Sequence, residues 1–264
     1  MAKVAMLVDT TLCTGCRGCQ VACKQWWDLS AEVTGNRGSY ENPPDLSHST
    51  WTRVTFHEVE DGRGLQWYHL AWGCVHCTEA ACVDVCPTAA LKYHPLGFVS
   101  LERDLCNGCG YCLTACPFDI PQLESNVLTG RGKATKCNLC QDRVTEGLIP
   151  ACVKTCPPGA IRFGDRQQMV TLGRTRAAAL QEQGFAEASL YGPELLGGLG
   201  RMFVLAARPA KYGLPERPTY PLAVTLWQRL FQPLGQLGVL ATVFGLAANW
   251  VVTRRLRGKK KEEV

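Results

Sequence analysis

Apolar and polar residues alternate from Thr52 to Val59, and a second apolar run follows from Leu65 to Leu70. A turn with the sequence Asp-Gly-Arg-Gly, residues 61–64, separates the two runs. Alternation beside a glycine-containing turn predicts a β-hairpin. Later in the chain, the pattern predicts a helix from Arg174 to Gln183 and a strand from Arg201 to Ala207.

The longest apolar run lies near the C-terminal end. Pro233 to Val252 is a stretch of twenty residues without a charge, and about twenty apolar residues cross a bilayer. Trp227, Phe231 and Trp250 flank the run as interfacial aromatic residues do. Pro233 fits either the first helical turn or a kink after an interfacial segment. The pattern predicts a membrane helix, and a buried helix of a soluble core is the alternative.

Charge is concentrated in the tail that follows this run. The formal net charge is +5, and residues 254–264 hold six Lys or Arg against two Glu, or +4, leaving about +1 elsewhere. This balance argues against a nucleic-acid partner. The basic tail favours the membrane helix, and by the positive-inside rule it predicts a single-pass protein of the cytoplasmic membrane with a cytoplasmic C-terminus. Met1 to Asp9 contain no secretory or twin-arginine signal, so we expect the outer domain to be exported with a partner that carries one.

The sixteen cysteines form four groups of four. The groups are Cys13, Cys16, Cys19 and Cys23; Cys74, Cys77, Cys82 and Cys86; Cys106, Cys109, Cys112 and Cys116; and Cys137, Cys140, Cys152 and Cys156. A proline follows the last cysteine of the second, third and fourth groups. The third group has the spacing of the bacterial ferredoxin run, so the groups predict four [4Fe–4S] clusters. Gly15 and Gly108 lie where a side chain would crowd the loop around a cluster.

Two other uses of cysteine compete with this interpretation. A disulfide framework suits short secreted chains, whereas these cysteines lie two and three residues apart in a chain of 264 residues. Zinc uses two pairs separated by a longer loop, and the fourth group, with an eleven-residue gap, is the one that resembles this pattern. Iron–sulfur clusters throughout are the favoured interpretation.

The cysteine layout predicts an α+β fold with two ferredoxin-like 2[4Fe–4S] units, one inserted in the other, and a C-terminal transmembrane helix. The predicted segments are an outer unit of residues 1–30 and 127–165, an insert with the β-hairpin at 31–69, an inner unit at 70–126, an α/β extension at 166–210, a linker at 211–221, a membrane anchor helix at 222–253 and a basic cytoplasmic tail at 254–264.

In two-cluster ferredoxins the fourth cysteine of each run binds the other cluster. Crossed ligation of this kind predicts four sets: Cys13, Cys16, Cys19 and Cys156 for cluster 1; Cys74, Cys77, Cys82 and Cys116 for cluster 2; Cys106, Cys109, Cys112 and Cys86 for cluster 3; and Cys137, Cys140, Cys152 and Cys23 for cluster 4. The nearby lysines either balance cluster charge or are ordinary solvated residues: Lys24, Lys133, Lys136 and Lys154. The histidines are scattered, and His76 is interpreted as a residue behind the ligands or on the surface.

The four groups in this order resemble the electron-transfer subunits of molybdopterin oxidoreductases. Within that class, residues 19–26, 34–46, Trp51-Thr52 and Tyr212–Pro215 resemble the iron–sulfur (beta) subunit of membrane-bound formate dehydrogenase. The resemblance implies a chain that is not catalytic and relays electrons from a molybdopterin (Mo or W) formate-oxidising subunit to a membrane cytochrome b-type, quinone-reducing subunit. The alternatives are the equivalent subunit of another respiratory oxidoreductase (polysulfide, tetrathionate, nitrite or DMSO type) and a structural adaptor whose metal sites only stabilise small domains.

Overall fold

The computed structural model describes residues 3–35, 37–125 and 132–262. It divides into two compact units, Met1–Tyr220 and Pro221–Val264. The strands are β1 (Val4–Asp9), β2 (Thr52–Asp61), β3 (Gly64–Gly73), β4 (Leu91–Tyr93), β5 (Val99–Leu101), β6 (Gln122–Ser125), β7 (Gly132–Thr135), β8 (Ile161–Asp165), β9 (Ser189–Tyr191) and β10 (Arg201–Leu205). The α-helices are α1 (Gly18–Trp26), α2 (Ala81–Asp84), α3 (Tyr111–Ala115), α4 (Gln141–Thr145), α5 (Ala151–Lys154), α6 (Arg166–Glu182), α7 (Leu222–Leu226) and α8 (Gln232–Glu262).

A four-stranded sheet with the order β8-β1-β10-β9 forms the centre of the first unit. Strand β1 pairs antiparallel with β8 and parallel with β10, and β9 pairs antiparallel with β10. Every residue of β10 is buried. The predicted strand from Arg201 to Ala207 is therefore present, and it lies inside the sheet that contains the N-terminal strand. The segment predicted as an extension completes the sheet of the outer unit, which the sequence pattern did not indicate.

Helix α6 packs on this sheet and begins earlier than predicted. The side chain of Asp165 accepts hydrogen bonds from the backbone N–H groups of Gln167 and Gln168 at 2.9 and 3.1 Å. An aspartate at this position caps a helix because it satisfies N–H groups that have no intrahelical partner. The predicted start at Arg174 was wrong by two turns, because the first turns lack a clear apolar period.

The predicted β-hairpin is confirmed. Strands β2 and β3 pair antiparallel from Thr52 opposite Gly73 to Asp61 opposite Gly64. The insert before the hairpin is held by Glu32, whose carboxylate accepts hydrogen bonds from three hydroxyls of the segment 47–50. Burial alone would raise the pKa of Glu32, but these hydroxyls and the nearby charge of Lys24 lower it below its ordinary value.

Two short antiparallel ribbons, β4–β5 and β6–β7, accompany the helices of the inner region. The second ribbon pairs residues on either side of the predicted boundary between residues 126 and 127, so the strand pairing continues across it. In the predicted linker, Tyr212 and Leu214 are only 2% and 4% exposed, because both pack into the core of the first unit. The domain boundaries remain predictions.

The second unit is almost entirely helical. Helix α7 leads through a single π-helical turn, Trp227–Phe231, into α8. Pro233 closely follows the π-helical turn inside a continuous helix, so the alternative that placed it in the first turn of a helix was wrong. The segment Leu222–Arg254, of 33 residues, is long and apolar enough to span a membrane, and none of its most apolar stretch is buried within the chain. Helix α8 runs on to Glu262, so the predicted tail is helical over most of its length.

Candidate iron–sulfur centres

The third cysteine of each group lies in a short helix that follows a tight loop. Cys19, Cys82, Cys112 and Cys152 occupy this place in α1, α2, α3 and α5. The loops before α1, α2 and α3, and the loop before α4 in the fourth group, contain residues with left-handed backbone conformations: Gly15, Arg17, His76, Gly108, Gly110, Leu139 and Cys140. Left-handed residues reverse the chain sharply. Each loop therefore curls, and its thiols are directed toward a common space.

The thiols fall into four mutually interacting sets. The sets are numbered as the predicted clusters are, and within each set the thiols interact electrostatically: Cys13, Cys16, Cys19 and Cys156 (set 1); Cys74, Cys77, Cys82 and Cys116 (set 2); Cys86, Cys106, Cys109 and Cys112 (set 3); and Cys23, Cys137, Cys140 and Cys152 (set 4). These interactions reach across the sequence groups. The structure thus brings together the members of each set predicted from the sequence, and their role as cluster ligands remains a prediction.

Burial makes several of these thiols poor acids. Burial is the main cause that raises the pKa of Cys19 and of Cys112 to about 12, and of Cys116 and of Cys140 to about 11. Neighbouring thiols add to the effect through repulsion between thiolates. Bound iron would remove this penalty, because a metal ion deprotonates a coordinating thiol outright. The donor set therefore fits a buried cationic cofactor, with proton release on loading.

The thiol sets can be compared with the geometry that a single metal ion requires. A tetrahedral zinc with Zn–S bonds of about 2.3 Å requires sulfurs roughly 3.8 Å apart. Within residues 3–35, 37–125 and 132–262, no three His, Cys, Asp or Glu side chains are placed to hold one metal ion. The thiols of Cys86, Cys106, Cys109 and Cys112 instead line one cavity together with apolar side chains. A cofactor held by all four thiols fits this cavity.

Backbone N–H groups point at several of the sulfurs. Leu91 donates to Cys86 at 3.5 Å, Ala134 donates to Cys106 at 3.2 Å, and Leu139 donates to Cys137 at 3.4 Å. The side chain of Trp27 donates to the thiol of Cys140. Hydrogen bonds of this kind stabilise thiolate ligands and raise the reduction potential of a cluster.

Of the two glycines singled out in the sequence, Gly108 has no room for a side chain, and at Gly15 a side chain would be tightly crowded. Both have positive φ, 67° at Gly15 and 75° at Gly108. A Cβ atom on Gly15 would lie 3.0 Å from the ring of Phe56, and one on Gly108 would lie 2.1 Å from the carbonyl oxygen of Gly132. The obstruction comes from the β-hairpin and from β7, which pack against the loops.

The sets are arranged in a sequence. The thiols of Cys19 and Cys152 interact, which links sets 1 and 4, and those of Cys82 and Cys112 interact, which links sets 2 and 3. Arg201 interacts with Cys137 and Cys152 of set 4, with Cys74 of set 2 and with Cys19 of set 1, and so lies where sets 4 and 2 meet, with set 1 nearby. Among the sixteen thiols, Cys16 and Cys109 are the exposed ones, and they belong to the two end sets, 1 and 3.

The basic residues differ in their relation to the thiols. Lys24 donates to the carbonyls of Ser30 and Ser49, Lys133 pairs with Asp104, and Lys154 is exposed. Lys136 is buried and donates to the carbonyls of Val99 and Cys137 at 2.7 and 2.9 Å. Of the four predicted lysines, Lys136 is therefore the one with a buried charge beside a cysteine loop.

Two further groups accompany Lys136. His76 is fully buried; burial and the charges of Lys136 and Arg201 lower its pKa well below the ordinary value, so it remains neutral and accepts from the N–H of Val99. His76 therefore lies behind the ligands and not on the surface. Arg201 is buried beside Cys137, a position that the cysteine motifs did not predict. The sequence feature that could have indicated this position is a charged residue, Arg201, at the start of a predicted strand whose other residues are apolar.

Comparison with known proteins agrees with this geometry. Residues 65–166 and residues 12–90 each match a family model described as a 4Fe-4S dicluster domain. The fold and the thiol sets thus define a protein that carries [4Fe–4S] clusters in ferredoxin-like domains, as predicted.

Full-length similarity narrows the class. The chain is 42% identical over 254 residues to the nitrate-inducible formate dehydrogenase iron–sulfur subunit of Escherichia coli (strain K12), covering 95% of this chain and 85% of the relative. It is 44% identical over 264 residues to the formate dehydrogenase-O iron–sulfur subunit of the same organism, covering 98% and 87%. It is also 37% identical over 168 residues to the B subunit of the anaerobic dimethyl sulfoxide reductase of that organism, covering 61% and 73%. The chain belongs to the family of formate dehydrogenase iron–sulfur subunits.

Proposed function

We propose that this chain carries electrons through four [4Fe–4S] clusters, from a molybdopterin (Mo or W) subunit that oxidises formate to a membrane cytochrome b-type subunit that reduces quinone. The observation that carries the proposal is the convergence of sixteen thiols in four sets, each with members from two sequence groups. Membership of the formate dehydrogenase family supports formate as the substrate of the complex, and the thiol sets support the electron route through this chain.

The proposed ligands are the four crossed sets predicted from the sequence. Each bound cluster supplies reversible one-electron chemistry. The residues of this chain hold the thiolates, exclude water and donate N–H groups to sulfur. Because one cysteine of each set comes from another group, Cys23 and Cys156 tie sets 1 and 4 together. Cys86 and Cys116 do the same for sets 2 and 3.

The proposed route follows the order of sets 1, 4, 2 and 3. Its support is the proximity of thiols between sets 1 and 4 and between sets 2 and 3, and the position of Arg201 beside sets 4 and 2. Cys16 is exposed at one end of this order and Cys109 at the other. Electrons enter and leave a relay where a cluster lies near the surface, because tunnelling requires a short distance to the partner's redox group. The two exposed ends are therefore the proposed contacts with the two partner subunits.

We further propose that the chain performs no bond chemistry of its own. The described histidines have structural contacts that support this view. The ring of His57 hydrogen-bonds the Thr55 hydroxyl at 2.7 Å, and the ring of His94 stacks on Phe98 at 4.3 Å. His76 accepts from the N–H of Val99. These contacts hold His57 within the hairpin and hold His76 and His94 against the segment of Phe98 and Val99.

The helical second unit is proposed to anchor the complex in the cytoplasmic membrane, with its basic end on the cytoplasmic side. The support is the length and apolar character of Leu222–Arg254 and the cluster of Lys and Arg that follows it. In this orientation the cluster-bearing unit lies on the outer face of the membrane.

A second candidate is the corresponding subunit of another respiratory oxidoreductase. The similarity to the B subunit of dimethyl sulfoxide reductase supports it, although that match covers 61% of this chain against 95% or more for two formate dehydrogenase subunits. In such a complex, electrons run from quinone to the catalytic subunit.

The test is to purify the intact complex anaerobically from membranes and to add formate. Visible iron–sulfur absorbance and reduced-cluster spin signals are recorded, and dithionite then gives full reduction. The proposal predicts bleaching by formate to a large part of the dithionite level, and re-oxidation when a quinone analogue is added. No response to formate with full reduction by dithionite would reject the formate partner and favour the second candidate.

A further inference from the structure

We propose that the buried guanidinium of Arg201 places a fixed positive charge between thiol sets 4 and 2. This charge raises the reduction potentials of the two clusters held there. This inference rests on the proposed function, because it assigns a role within the relay. It concerns a residue outside the cysteine motifs.

The location of Arg201 is defined by its neighbours on both sides. Its Nη2 atom lies 3.9 Å from the sulfur of Cys137, a member of set 4. On the other side, a Cβ atom built on Gly73 would lie 2.5 Å from Nη1, and Gly73 directly precedes Cys74 of set 2. The backbone N–H of Arg201 donates to the carbonyl of Val75 at 3.0 Å. The guanidinium thus lies at the junction between the two sets.

The charge of Arg201 is not neutralised by an acidic side chain. The residue is 1% exposed, and its Nε and Nη1 atoms have no hydrogen-bond partner. No carboxylate forms an ion pair with it among residues 3–35, 37–125 and 132–262. A buried charge without a counter-charge is strongly destabilising. Clusters ligated by four thiolates are anions, so they provide the counter-charge that the described side chains do not.

A second buried cation extends the same pattern. Lys136 is 2% exposed, and it lies near Cys82 of set 2 while donating to the carbonyl of Cys137 in set 4. Two of its donors are occupied by carbonyls, whereas Arg201 has unused donors. Replacing Arg201 with a neutral residue therefore removes a positive charge without removing a hydrogen bond to a carbonyl, whereas replacing Lys136 would remove both.

The electrostatic consequence has a definite sign. One-electron reduction adds one negative charge to a cluster, and a fixed cation stabilises that added charge. The reduced form is favoured, so the potential rises. The interaction weakens with distance and is strong in a buried site. The cluster of Cys137 should respond most, and the clusters of Cys74 and Cys19 should respond less. The cluster of Cys106 should be nearly unaffected and serve as an internal reference.

The experiment compares Arg201→Met, Arg201→Lys and the control Arg176→Met in the intact complex. Arg176 forms an ion pair with Asp9 at 2.9 Å and donates to the Thr11 hydroxyl at 3.0 Å, and none of the thiol interactions described above involves it. Each complex is titrated potentiometrically with dithionite and mediators while the spin signals are recorded. We expect Arg201→Met to shift the reduction equilibrium of the set 4 cluster about tenfold toward the oxidised form, which corresponds to about 59 mV. Arg201→Lys should retain most of the wild-type value, and Arg176→Met should retain all of it.

Unchanged potentials in a fully loaded Arg201→Met complex would overturn the proposal. Equal shifts in the Met and Lys variants would also overturn it, because they would indicate a packing role. If Arg201→Met does not assemble, Arg201→Gln provides the neutral variant. If neither neutral variant assembles while Arg201→Lys does, the charge is needed for assembly and the proposed role in setting potentials is abandoned. The titration does not use formate, so a failure of the formate assignment would not affect its reading.

Discussion

Replacing Gly108 with alanine tests the packing of the loop around set 3. Gly108 has a φ of 75°, and a Cβ atom there would lie 2.1 Å from the carbonyl oxygen of Gly132, the first residue of β7. A backbone atom cannot rotate away as a side chain can. The substitution must therefore displace either the cysteine loop or β7. Displacing β7 breaks the hydrogen bond from the N–H of Ala134 to the sulfur of Cys106.

The magnitude follows from two contributions. An L-residue in the left-handed region costs roughly 1–2 kcal/mol. Loss of a hydrogen bond to a charged acceptor costs about 1.5–3 kcal/mol. Gly147 provides a matched control, because its φ is also 75° and a Cβ atom there meets nothing within 4 Å. We expect Gly108→Ala to destabilise its region by about 2.5–5 kcal/mol, and Gly147→Ala to cost only the first contribution, roughly 1–2 kcal/mol.

The assay is anaerobic guanidinium titration of the purified complex, with cluster loss followed by visible absorbance and by the spin signal of each cluster. Gly108→Ala should lose the set 3 cluster at a clearly lower denaturant concentration than Gly147→Ala, with the other signals lost later. If the two alanine variants lost all clusters at the same concentration, the close approach of β7 to the loop would be refuted.

Three further predictions concern other parts of the chain. Cys116→Ser should alter the spectrum of the cluster held by Cys74, Cys77 and Cys82, and an effect confined to the cluster of Cys106, Cys109 and Cys112 would reject crossed ligation. The pKa of Glu32 is lowered, so its contribution to stability is present above the ordinary glutamate pKa and is lost as the pH falls through the folded-state pKa. The apparent unfolding temperature of Glu32→Gln should therefore lie below that of the wild type at neutral pH and converge with it in acid. A difference that persists in acid would contradict this prediction. Leu240→Arg places a charge within the proposed membrane span, at a cost of about 2.5–3.5 kcal/mol. This variant should be extracted from membranes by carbonate more readily than the control Leu222→Arg, whose charge lies at the end of the helix. Equal extraction of the two variants would argue against the span.

The sequence predicted the local elements well where one physical signal dominated. The hairpin follows from alternation and a glycine turn, which act over neighbouring residues, and the structure has it with the expected turn at residues 61–64. The long apolar helix follows from composition alone. Helix α6 shows the opposite case, because its start depends on the cap at Asp165 and not on periodicity.

Long-range strand pairing could not be predicted from the pattern. Strand β10 pairs with β1, which lies about two hundred residues earlier in the chain. The pairing uses backbone hydrogen bonds, which do not depend on the identity of the side chains, so the sequence does not indicate which strands are neighbours. Sequence reasoning therefore separates the extension from the outer unit. The same pairing places Arg201 beside Cys137. In the sequence, Arg201 looks like an exposed polar residue at the end of a strand, whereas in the structure it lies among the thiols.

The cysteine motifs indicate the candidate site because ligand spacing is itself a chemical constraint. They do not predict the environment of each sulfur. Lys24 and Lys136 look alike in sequence, yet Lys24 binds carbonyls and Glu32 in the insert while Lys136 is buried against the loop of Cys137. Burial depends on elements distant in sequence, which is why charge balance near the clusters could not be assigned residue by residue.

The most direct test of the central claim is native mass spectrometry of this chain released anaerobically from the purified complex. Four [4Fe–4S] clusters require about sixteen iron and sixteen sulfide atoms above the mass of the polypeptide. The account predicts a dominant species with that excess, and its stepwise loss in units of one cluster. A dominant species with three clusters and one zinc ion, or with fewer clusters and free thiols in any set, would contradict it.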